Sequence, residues 1–168
     1  MRWSWAWAPW LKEELDKSCL TSVFETFPDS VMARKKYWIP FLKDNLEANS
    51  STILVGHSSG AVAAMKFAEE NKLLGSLLVS PCYTDLGVEL EKQSGYFDEP
   101  WQWDKIRSNQ KFIALFYSKD DPFIPQGEFA YIKNKLQPEC FEFENRGHFS
   151  QNTFPEVLNY LKNKLNIK

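Results

Sequence analysis

The apolar residues of this chain fall into short, nearly continuous runs separated by stretches with helical spacing. Residues 52–55, 75–80 and 111–118 consist largely of apolar and small side chains, which is typical of strands buried on both faces. Residues 140–144 alternate apolar and charged side chains, as an edge or end strand would. Strands that alternate with helices in this way predict a mostly parallel α/β sheet with helices on both faces.

The predicted helices cover residues 3–17, 31–47, 61–70, 100–108, 126–136 and 153–165. One face of the first helix is apolar and carries Trp3, Trp7, Trp10 or Leu11, and Leu15. Pro9 should cap or kink this helix, and Pro40 should kink or split the second one. Residues 22–27 predict one further short strand. No repeat or linker interrupts the pattern, so the 168 residues are expected to form a single domain.

The strongest local signal lies where the first buried run meets the helix at residues 61–70. The connection reads Gly56-His57-Ser58-Ser59-Gly60, and strand, Gly-x-Ser-x-Gly, helix is the pattern of a nucleophile elbow. The turn leaves almost no room for side chains at its flanks, which explains glycine at 56 and 60. Ser58 is therefore expected at the tip with its Oγ exposed, at the positive end of the helix.

A serine hydroxyl is a weak nucleophile unless a base takes its proton, and the usual base is histidine. The chain has two histidines, His57 and His148. His57 is adjacent to Ser58 and cannot reach its Oγ at a useful angle. His148 follows the last predicted strand, at the end where catalytic loops of α/β sheets gather, so His148 is the predicted base.

The third group is a carboxylate that orients the histidine, and the loops offer Asp121, Asp120 and Asp85. Asp121 precedes Pro122, which favours an extended backbone at the strand end. One helix and one strand separate Asp121 from His148, which would bring them to neighbouring strand ends. Asp121 is therefore preferred, with Asp120 and then Asp85 as alternatives.

Two further features complete the predicted site. The backbone N–H of Ser59 is the expected oxyanion donor, but the usual second donor lies in a glycine-rich loop, and no glycine precedes Gly56. Residues 81–103 form a long irregular segment, of a kind that is usually functional. Its aromatic residues are the predicted wall of a substrate pocket, with simple packing as the alternative: Tyr96, Phe97, Trp101 and Trp103.

Composition excludes several other classes of protein. The net charge is -2, so neither nucleic acid nor an anionic membrane is an expected partner. Cys19, Cys82 and Cys140 are odd in number and lack C-x-x-C spacing, which indicates reduced thiols in the cytoplasm or nucleus. No cofactor or metal site is expected. Charged residues from Lys12 onward end the apolar start, which favours neither a signal peptide nor a membrane span.

Several segments in order resemble the retinoblastoma-binding protein 9-like serine hydrolase family of the α/β-hydrolase superfamily, from Trp3 to the end: VGHSSGAVAAMKFAE, LVSPCYTDLG, SGYFDEPWQWDKI, SKDDPFIP and GHF. The resemblance implies an α/β-hydrolase fold and a Ser-Asp-His triad. Matched motif by motif, it implies Ser58 as nucleophile, Asp121 as acid and His148 as base. It also implies Asp121 in preference to Asp120.

Two departures from the family pattern stand out. Family members begin with a strand and a glycine-rich loop, whereas this chain starts at the following helix, so we expect an N-terminally short domain over residues 1–168. A missing oxyanion donor would slow catalysis by roughly 10²- to 10³-fold, and a start upstream of Met1 is the preferred explanation. The Leu-x-Cys-x-Glu motif that binds retinoblastoma-type pocket proteins is absent, because Pro138 stands where leucine is needed before Cys140 and Glu142.

The sequence therefore predicts a serine hydrolase that cleaves a small ester or amide through an acyl-enzyme intermediate. An acyltransferase with the same triad would differ only in the nucleophile that takes the acyl group. The alternative from another class is a catalytically impaired hydrolase-fold protein that acts as an interaction module.

Overall fold

Four parallel strands form the sheet in a computed structural model that describes residues 7–18 and 20–167. They are β1 (Ile53–His57), β2 (Gly75–Val79), β3 (Phe112–Ser118) and β4 (Glu139–Phe143), and they pair in that order. The predicted strands at 52–55, 75–80, 111–118 and 140–144 are confirmed, but β1 is mostly half-buried and not buried on both faces as expected, because it lies at one end of the described sheet. In the described residues β4 lies at one end of the sheet, as its alternating sequence predicts.

The two central strands are buried on both faces. Every residue of β2 is buried, and so is every residue of β3 after Phe112. Successive side chains of a strand point to opposite faces, so this burial leaves neither face of the sheet centre open to water. It explains why these two segments are almost continuously apolar in sequence.

The helices observed among the described residues are α1 (Ala8–Lys17), α2 (Lys35–Pro40), α3 (Ser59–Ala68), α4 (Glu89–Gln93), α5 (Trp103–Ser108), α6 (Gln126–Leu136) and α7 (Pro155–Lys164). Helix α3 packs on β1 and β2, and α6 packs on β3. Pro9 and Pro155 both lie in the first turn of their helices, where proline sacrifices no hydrogen bond. The segment predicted as irregular, residues 81–103, contains the short helix α4.

The predicted strand at residues 22–27 is wrong. These residues form no strand and pair with no neighbour in the described structure. Val23 is 62% exposed and Phe24 is 45% exposed, so the segment lacks the burial that its apolar residues suggested. Without a neighbouring strand, backbone hydrogen bonding cannot extend a sheet there.

The predicted helix at 31–47 begins later than expected and changes type at Pro40. Asp29 has a positive φ of 54°, and its carboxylate accepts hydrogen bonds from the Arg34 backbone N–H and from the Arg34 guanidinium. This turn delays the helix to Lys35. After Pro40 the chain continues as a π-helical segment, Phe41–Asn45, which is the disruption that proline was expected to cause.

The chain divides into two compact units, of which the larger comprises Phe27–His148 and contains the sheet. The other combines the N-terminal residues up to Thr26 with residues from Phe149 onward. In this second unit, Trp7 donates a hydrogen bond from Nε1 to the Phe149 carbonyl (3.1 Å), and its ring meets Phe154 edge-to-face. The predicted apolar face of α1 therefore serves packing at Trp7; Trp3 lies outside the described residues.

Among residues 7–18 and 20–167, no helix is both long and apolar enough to cross a membrane.

Glycine is required at position 56 because two backbone segments meet there. A Cβ atom on Gly56 would overlap the carbonyl oxygen of Gly60 and would lie 2.6 Å from the Ala61 nitrogen. Backbone atoms cannot move aside as a flexible side chain can. The close approach of strand and helix at this turn therefore depends on the absence of a side chain.

We predict that Gly56→Ala lowers the free energy of unfolding by about 3 kcal/mol or more, or prevents folding, because the added methyl group collides with backbone. Gly127→Ala is the matched control, since no atom lies within 4 Å of a Cβ built there. In helix α6 this change should be neutral or stabilise by about 0.5 kcal/mol. Urea unfolding of both variants tests the difference, and equal stabilities would contradict the steric explanation.

Candidate active site

Polar side chains gather at one edge of the sheet because all four strands run in the same direction. Ser58 follows β1, Ser80 follows β2, Asp120 and Asp121 follow β3, and His148 follows β4 by a short turn. The carboxyl ends of parallel strands meet at the same edge, which is where open α/β sheets place their ligand sites.

Ser58 occupies the strained turn that its motif predicts. Its backbone dihedrals are φ 54° and ψ -120°, a region that side chains rarely adopt. Its N–H donates to the Val79 carbonyl (2.9 Å), which ties the turn to the end of β2. Ser58 is the N-cap residue of α3 but makes no side-chain capping hydrogen bond. Ser59 begins the helix, where backbone N–H groups lack helical acceptors.

The predicted acid and base are in direct contact. Nδ1 of His148 lies 2.9 Å from Oδ2 and 3.1 Å from Oδ1 of Asp121. A carboxylate only accepts, so Nδ1 of His148 carries the hydrogen and donates it. In the neutral ring, Nε2 is then the unprotonated nitrogen, which is the tautomer that a general base requires.

Asp121 is held as a buried carboxylate by several donors. The Ser80 hydroxyl donates to Oδ2 (2.8 Å), and the backbone N–H groups of Phe123 and Ile124 donate to Oδ1 (2.9 and 3.1 Å). Its side chain is completely buried. Burial raises the pKa of Asp121, but the hydrogen bonds from His148 and Phe123 outweigh it, so the net pKa lies below its usual range.

The two alternative carboxylates have different partners. Oδ1 of Asp120 accepts the backbone N–H of Gly147 (2.9 Å) and the Ser118 hydroxyl, so Asp120 holds the backbone next to His148. Oδ1 of Asp85 accepts the Gly87 N–H within its own turn. Of the three candidates, Asp121 is the one hydrogen-bonded to the His148 ring in the described residues.

His57 contacts the site in a way that its sequence position did not reveal. Its Nε2 lies 2.8 Å from the backbone oxygen of His148, and the two rings are 4.7 Å apart. A carbonyl oxygen only accepts, so Nε2 of His57 carries the hydrogen. Burial, and after it the proximity of His148, lowers the pKa of His57 to about 4. His57 is therefore neutral near pH 7.

Two further contacts were missed because they arise between distant segments. Ser80 has a positive φ of 47° that directs it to Asp121 at the end of β2, and a lone serine after a strand carries no local signal for this. The ring of Phe123 meets His148 edge-to-face at 5.1 Å while remaining 53% exposed. Phe123 thus presents an apolar surface to solvent directly beside His148.

The aromatic residues predicted to form a pocket wall differ in their surroundings. Tyr96 is only 1% exposed and belongs to the core, so a substrate cannot reach its ring in this conformation. Phe97, Trp101 and Trp103 are partly buried, and the two tryptophan rings stack with centroids 5.5 Å apart. For these three residues a role in substrate binding stays a prediction.

Trp101 is firmly anchored. Its Nε1 donates to the Tyr83 carbonyl (2.8 Å), and the Lys66 ammonium lies 4.1 Å from its ring centroid. Lys66 is in turn paired with Glu69 at 3.0 Å, with both side chains almost fully buried. A desolvated cation over an indole stabilises such a contact more than an exposed one does.

An open cavity of about 500 Å³ lies between α5 and α6, and its lining includes Trp101, Trp103, Lys105, Arg107 and Lys135. Neither Ser58 nor His148 contributes to this lining. Trp101 and Trp103 therefore line a groove between α5 and α6 whose wall does not include Ser58 or His148. In the part of the chain that the structure describes, no group of three or more His, Cys, Asp or Glu side chains is arranged to hold a metal ion.

A parallel α/β sheet with a strained serine turn after one strand and an Asp-His pair after later ones defines an α/β-hydrolase-like protein. Comparison with known proteins agrees. The family model described as "Serine hydrolase" matches residues 5–163, and the chain belongs to this serine hydrolase family. The protein is thus an enzyme of the hydrolase class.

Individual relatives support the same assignment. The chain is 39% identical over 163 residues to "Serine hydrolase RBBP9" of Rattus norvegicus, covering 95% of this chain and 86% of the rat protein. The crystal structure of the ydeN gene product from B. subtilis superposes with a TM-score of 0.86 at 25% identity, covering 96% and 91% of the two chains. An esterase of Pyrococcus furiosus shares the fold, with a TM-score of 0.67 at 19% identity over 96% and 77%.

The low pKa of His57 predicts a loss of stability on acidification. In the unfolded chain His57 binds a proton below about pH 6.5, whereas the folded protein resists protonation until about pH 4. The free energy of unfolding should therefore fall between these values, by about 2 kcal/mol from this residue between pH 7.5 and pH 5.

Urea unfolding at the two pH values measures this contribution, with His57→Gln as the comparison because glutamine keeps a donor but does not titrate. The variant should lose less stability on acidification than the wild-type protein. An identical loss in both proteins would show that His57 is not held neutral in the fold.

Proposed function

We propose that the protein hydrolyses a small ester or amide through an acyl-enzyme on Ser58. His148 acts as general base and then as general acid, and Asp121 orients its imidazole ring. The observation that carries the proposal is the hydrogen bonding between His148 Nδ1 and the buried Asp121 carboxylate, beside a strained Gly-x-Ser-x-Gly turn.

In the first half of the reaction, Ser58 Oγ attacks the substrate carbonyl carbon while His148 Nε2 takes its proton. The Ser59 N–H, at the positive end of α3, donates to the oxyanion that forms. When the tetrahedral intermediate collapses, His148 gives its proton to the leaving alcohol or amine. Water then attacks the ester of Ser58 by the same steps and releases the acid.

The electrostatics support these roles. The lowered pKa of Asp121 keeps it anionic, and an anion beside Nδ1 stabilises the imidazolium that His148 becomes in each half-reaction. His57, whose ring is 4.7 Å from that of His148, is neutral near pH 7 and adds no opposing charge. The half-exposed Phe123 ring beside His148 supports an apolar substituent on the substrate.

Because Trp101 and Trp103 line the groove between α5 and α6, their proposed role is to contact a distal part of a larger substrate that extends from Ser58 into that groove, with Phe97 beside Trp101. We also propose a cytoplasmic or nuclear location, on the basis of the unpaired thiols of Cys82, which is buried, and Cys140. An acyltransferase reaction would use the same first half and a different final acceptor.

Labelling with a fluorophosphonate probe tests the proposed nucleophile. Attack by an activated serine should attach the probe to the peptide that contains Ser58, with one probe per chain, and Ser58→Ala should abolish labelling. Peptide mass spectrometry locates the modified residue. Absence of label on a chain that is folded by circular dichroism would refute the hydrolase mechanism and favour an interaction module.

The carboxylate is tested by comparing Asp121→Asn with Asp85→Asn. The first change replaces an acceptor at His148 Nδ1 with an amide that can donate, which favours the wrong tautomer and should slow labelling of Ser58 by up to about 10⁴-fold. The second preserves the Oδ1 acceptor of a turn outside the triad and should leave the rate unchanged. Equal rates for the two variants would contradict the role of Asp121.

A further inference from the structure

The turn that carries His148 is fixed at its backbone as well as at its ring. On one side the Gly147 N–H donates to Asp120 Oδ1 (2.9 Å), and on the other the His148 carbonyl accepts from His57 Nε2 (2.8 Å). Between them His148 Nδ1 is hydrogen-bonded to Asp121. Three hydrogen bonds therefore hold Gly147 and His148, although glycine is the residue with the most backbone freedom.

From these contacts we propose that His57 and Asp120 are positioning residues that clamp the Gly147–His148 backbone and so set the place of the His148 imidazole relative to Ser58. The proposal rests on the function proposed above and assigns tasks to two residues outside the triad.

These hydrogen bonds span the distance between the two outer strands of the described sheet. His57 ends β1 and His148 follows β4, and these strands lie at opposite ends of the described sheet, about 14 Å apart at normal strand spacing. The turn after β4 must therefore reach across the strand ends to meet the elbow. Its first contacts are at β3, where the Arg146 N–H donates to Ser118 Oγ (2.9 Å). His57 supplies the last contact, at the elbow itself.

The chemistry of His57 suits a fixed donor. Its neighbour in sequence is Ser58, so one hydrogen bond connects the residue before the proposed nucleophile to the residue that carries the base. As a neutral ring with the hydrogen on Nε2, it donates without placing a charge beside the imidazolium of His148. A lysine or arginine in this place would oppose the protonation that catalysis needs.

Asp120 suits its task for a different reason. Its Oδ1 accepts both the Ser118 hydroxyl and the Gly147 N–H, so the carboxylate is itself held in place. These two hydrogen bonds lower the pKa of Asp120, with the Ser118 hydroxyl contributing most. Gly147 has a positive φ of 53°, a conformation that favours glycine, and its N–H donates to Asp120 Oδ1 at 2.9 Å.

Paired substitutions separate positioning from packing. His57→Gln keeps an amide donor at about the place of Nε2, whereas His57→Leu removes the donor at similar volume. Asp120→Asn keeps an acceptor for the Gly147 N–H, whereas Asp120→Ala removes it. If the clamp sets the position of the base, each donor or acceptor deletion should slow fluorophosphonate labelling of Ser58 by about tenfold to a hundredfold. Each conservative variant should recover most of the rate.

The separate effects on kcat and KM distinguish a positioning role of His57 from a role in substrate binding. With p-nitrophenyl acetate as the probe substrate, His57→Leu should lower kcat with little change in KM, because the clamp acts through His148 and does not touch the substrate. The final labelling stoichiometry should remain one per chain. The proposal is overturned if His57→Gln and His57→Leu are equally impaired, or if both lose stoichiometry and melting temperature without a change in the rate per labelled site.

A second measurement keeps the clamp testable if the wild-type protein does not react with the probe. Proton NMR should show a downfield signal from the His148 Nδ1 hydrogen that disappears in His148→Gln. The signal should persist in His57→Gln and should broaden or exchange faster in His57→Leu. An unchanged signal in His57→Leu would refute the clamp, whereas an unreactive protein that shows the expected NMR changes would refute only the proposed hydrolysis.

Discussion

The hydrogen bonds that carry the turn after β4 across the ends of the other strands are the constraint on which the site depends. Parallel pairing brings the four carboxyl ends to one edge but leaves β1 and β4 three strand spacings apart. Three hydrogen bonds span this distance. The Arg146 N–H donates to the Ser118 hydroxyl oxygen, and the Gly147 N–H donates to the Asp120 carboxylate. The His148 carbonyl accepts from the His57 ring. Ser118 and His57 end their strands and Asp120 lies two residues beyond β3, so the strand ends and the loop after β3 together fix the turn that carries His148.

The strained turn at Ser58 and the buried Asp121 carboxylate form the fixed side of this arrangement. The strand and helix backbones approach closely at Gly56, Ser58 adopts its strained conformation in the same turn, and the Ser58 N–H donates to the Val79 carbonyl at the end of β2. Asp121 is buried yet accepts from His148, Ser80, Phe123 and Ile124, so its charge is compensated before any substrate arrives. Groups that are oriented in advance do not need to reorganise during the reaction.

The strands, the serine turn and the proline effects could be predicted from the sequence because each depends on a local pattern of residues. The continuous apolar runs identify the strands, and the spacing of Gly56, Ser58 and Gly60 identifies the turn, since each depends on neighbouring residues alone. The proline effects at Pro9 and Pro40 were predictable for the same reason. The pairing of Asp121 with His148 followed from strand order, and the structure brings these two side chains into contact.

The features of the fold and the site that the sequence did not predict depend on contacts between segments that are far apart in the chain. Nothing near His57 indicates that its ring meets the carbonyl of His148, and nothing near Ser80 indicates a bond to Asp121. The expected strand at 22–27 failed because apolar residues do not form a strand without a neighbour to pair with. Tyr96 was expected at a pocket wall, but burial of its ring depends on packing that the sequence does not reveal.

Trapping the acyl-enzyme is the most direct measurement of the central claim. The protein would be mixed with p-nitrophenyl acetate, the release of nitrophenol followed by stopped flow, and the reaction quenched in acid for peptide mass spectrometry. A triad on Ser58 predicts release of nitrophenol and an acetyl group on the peptide that contains Ser58, with a burst equal to the protein concentration where deacylation is the slower step. A folded protein that releases no nitrophenol, or that carries the acetyl group on another residue, would contradict the assignment.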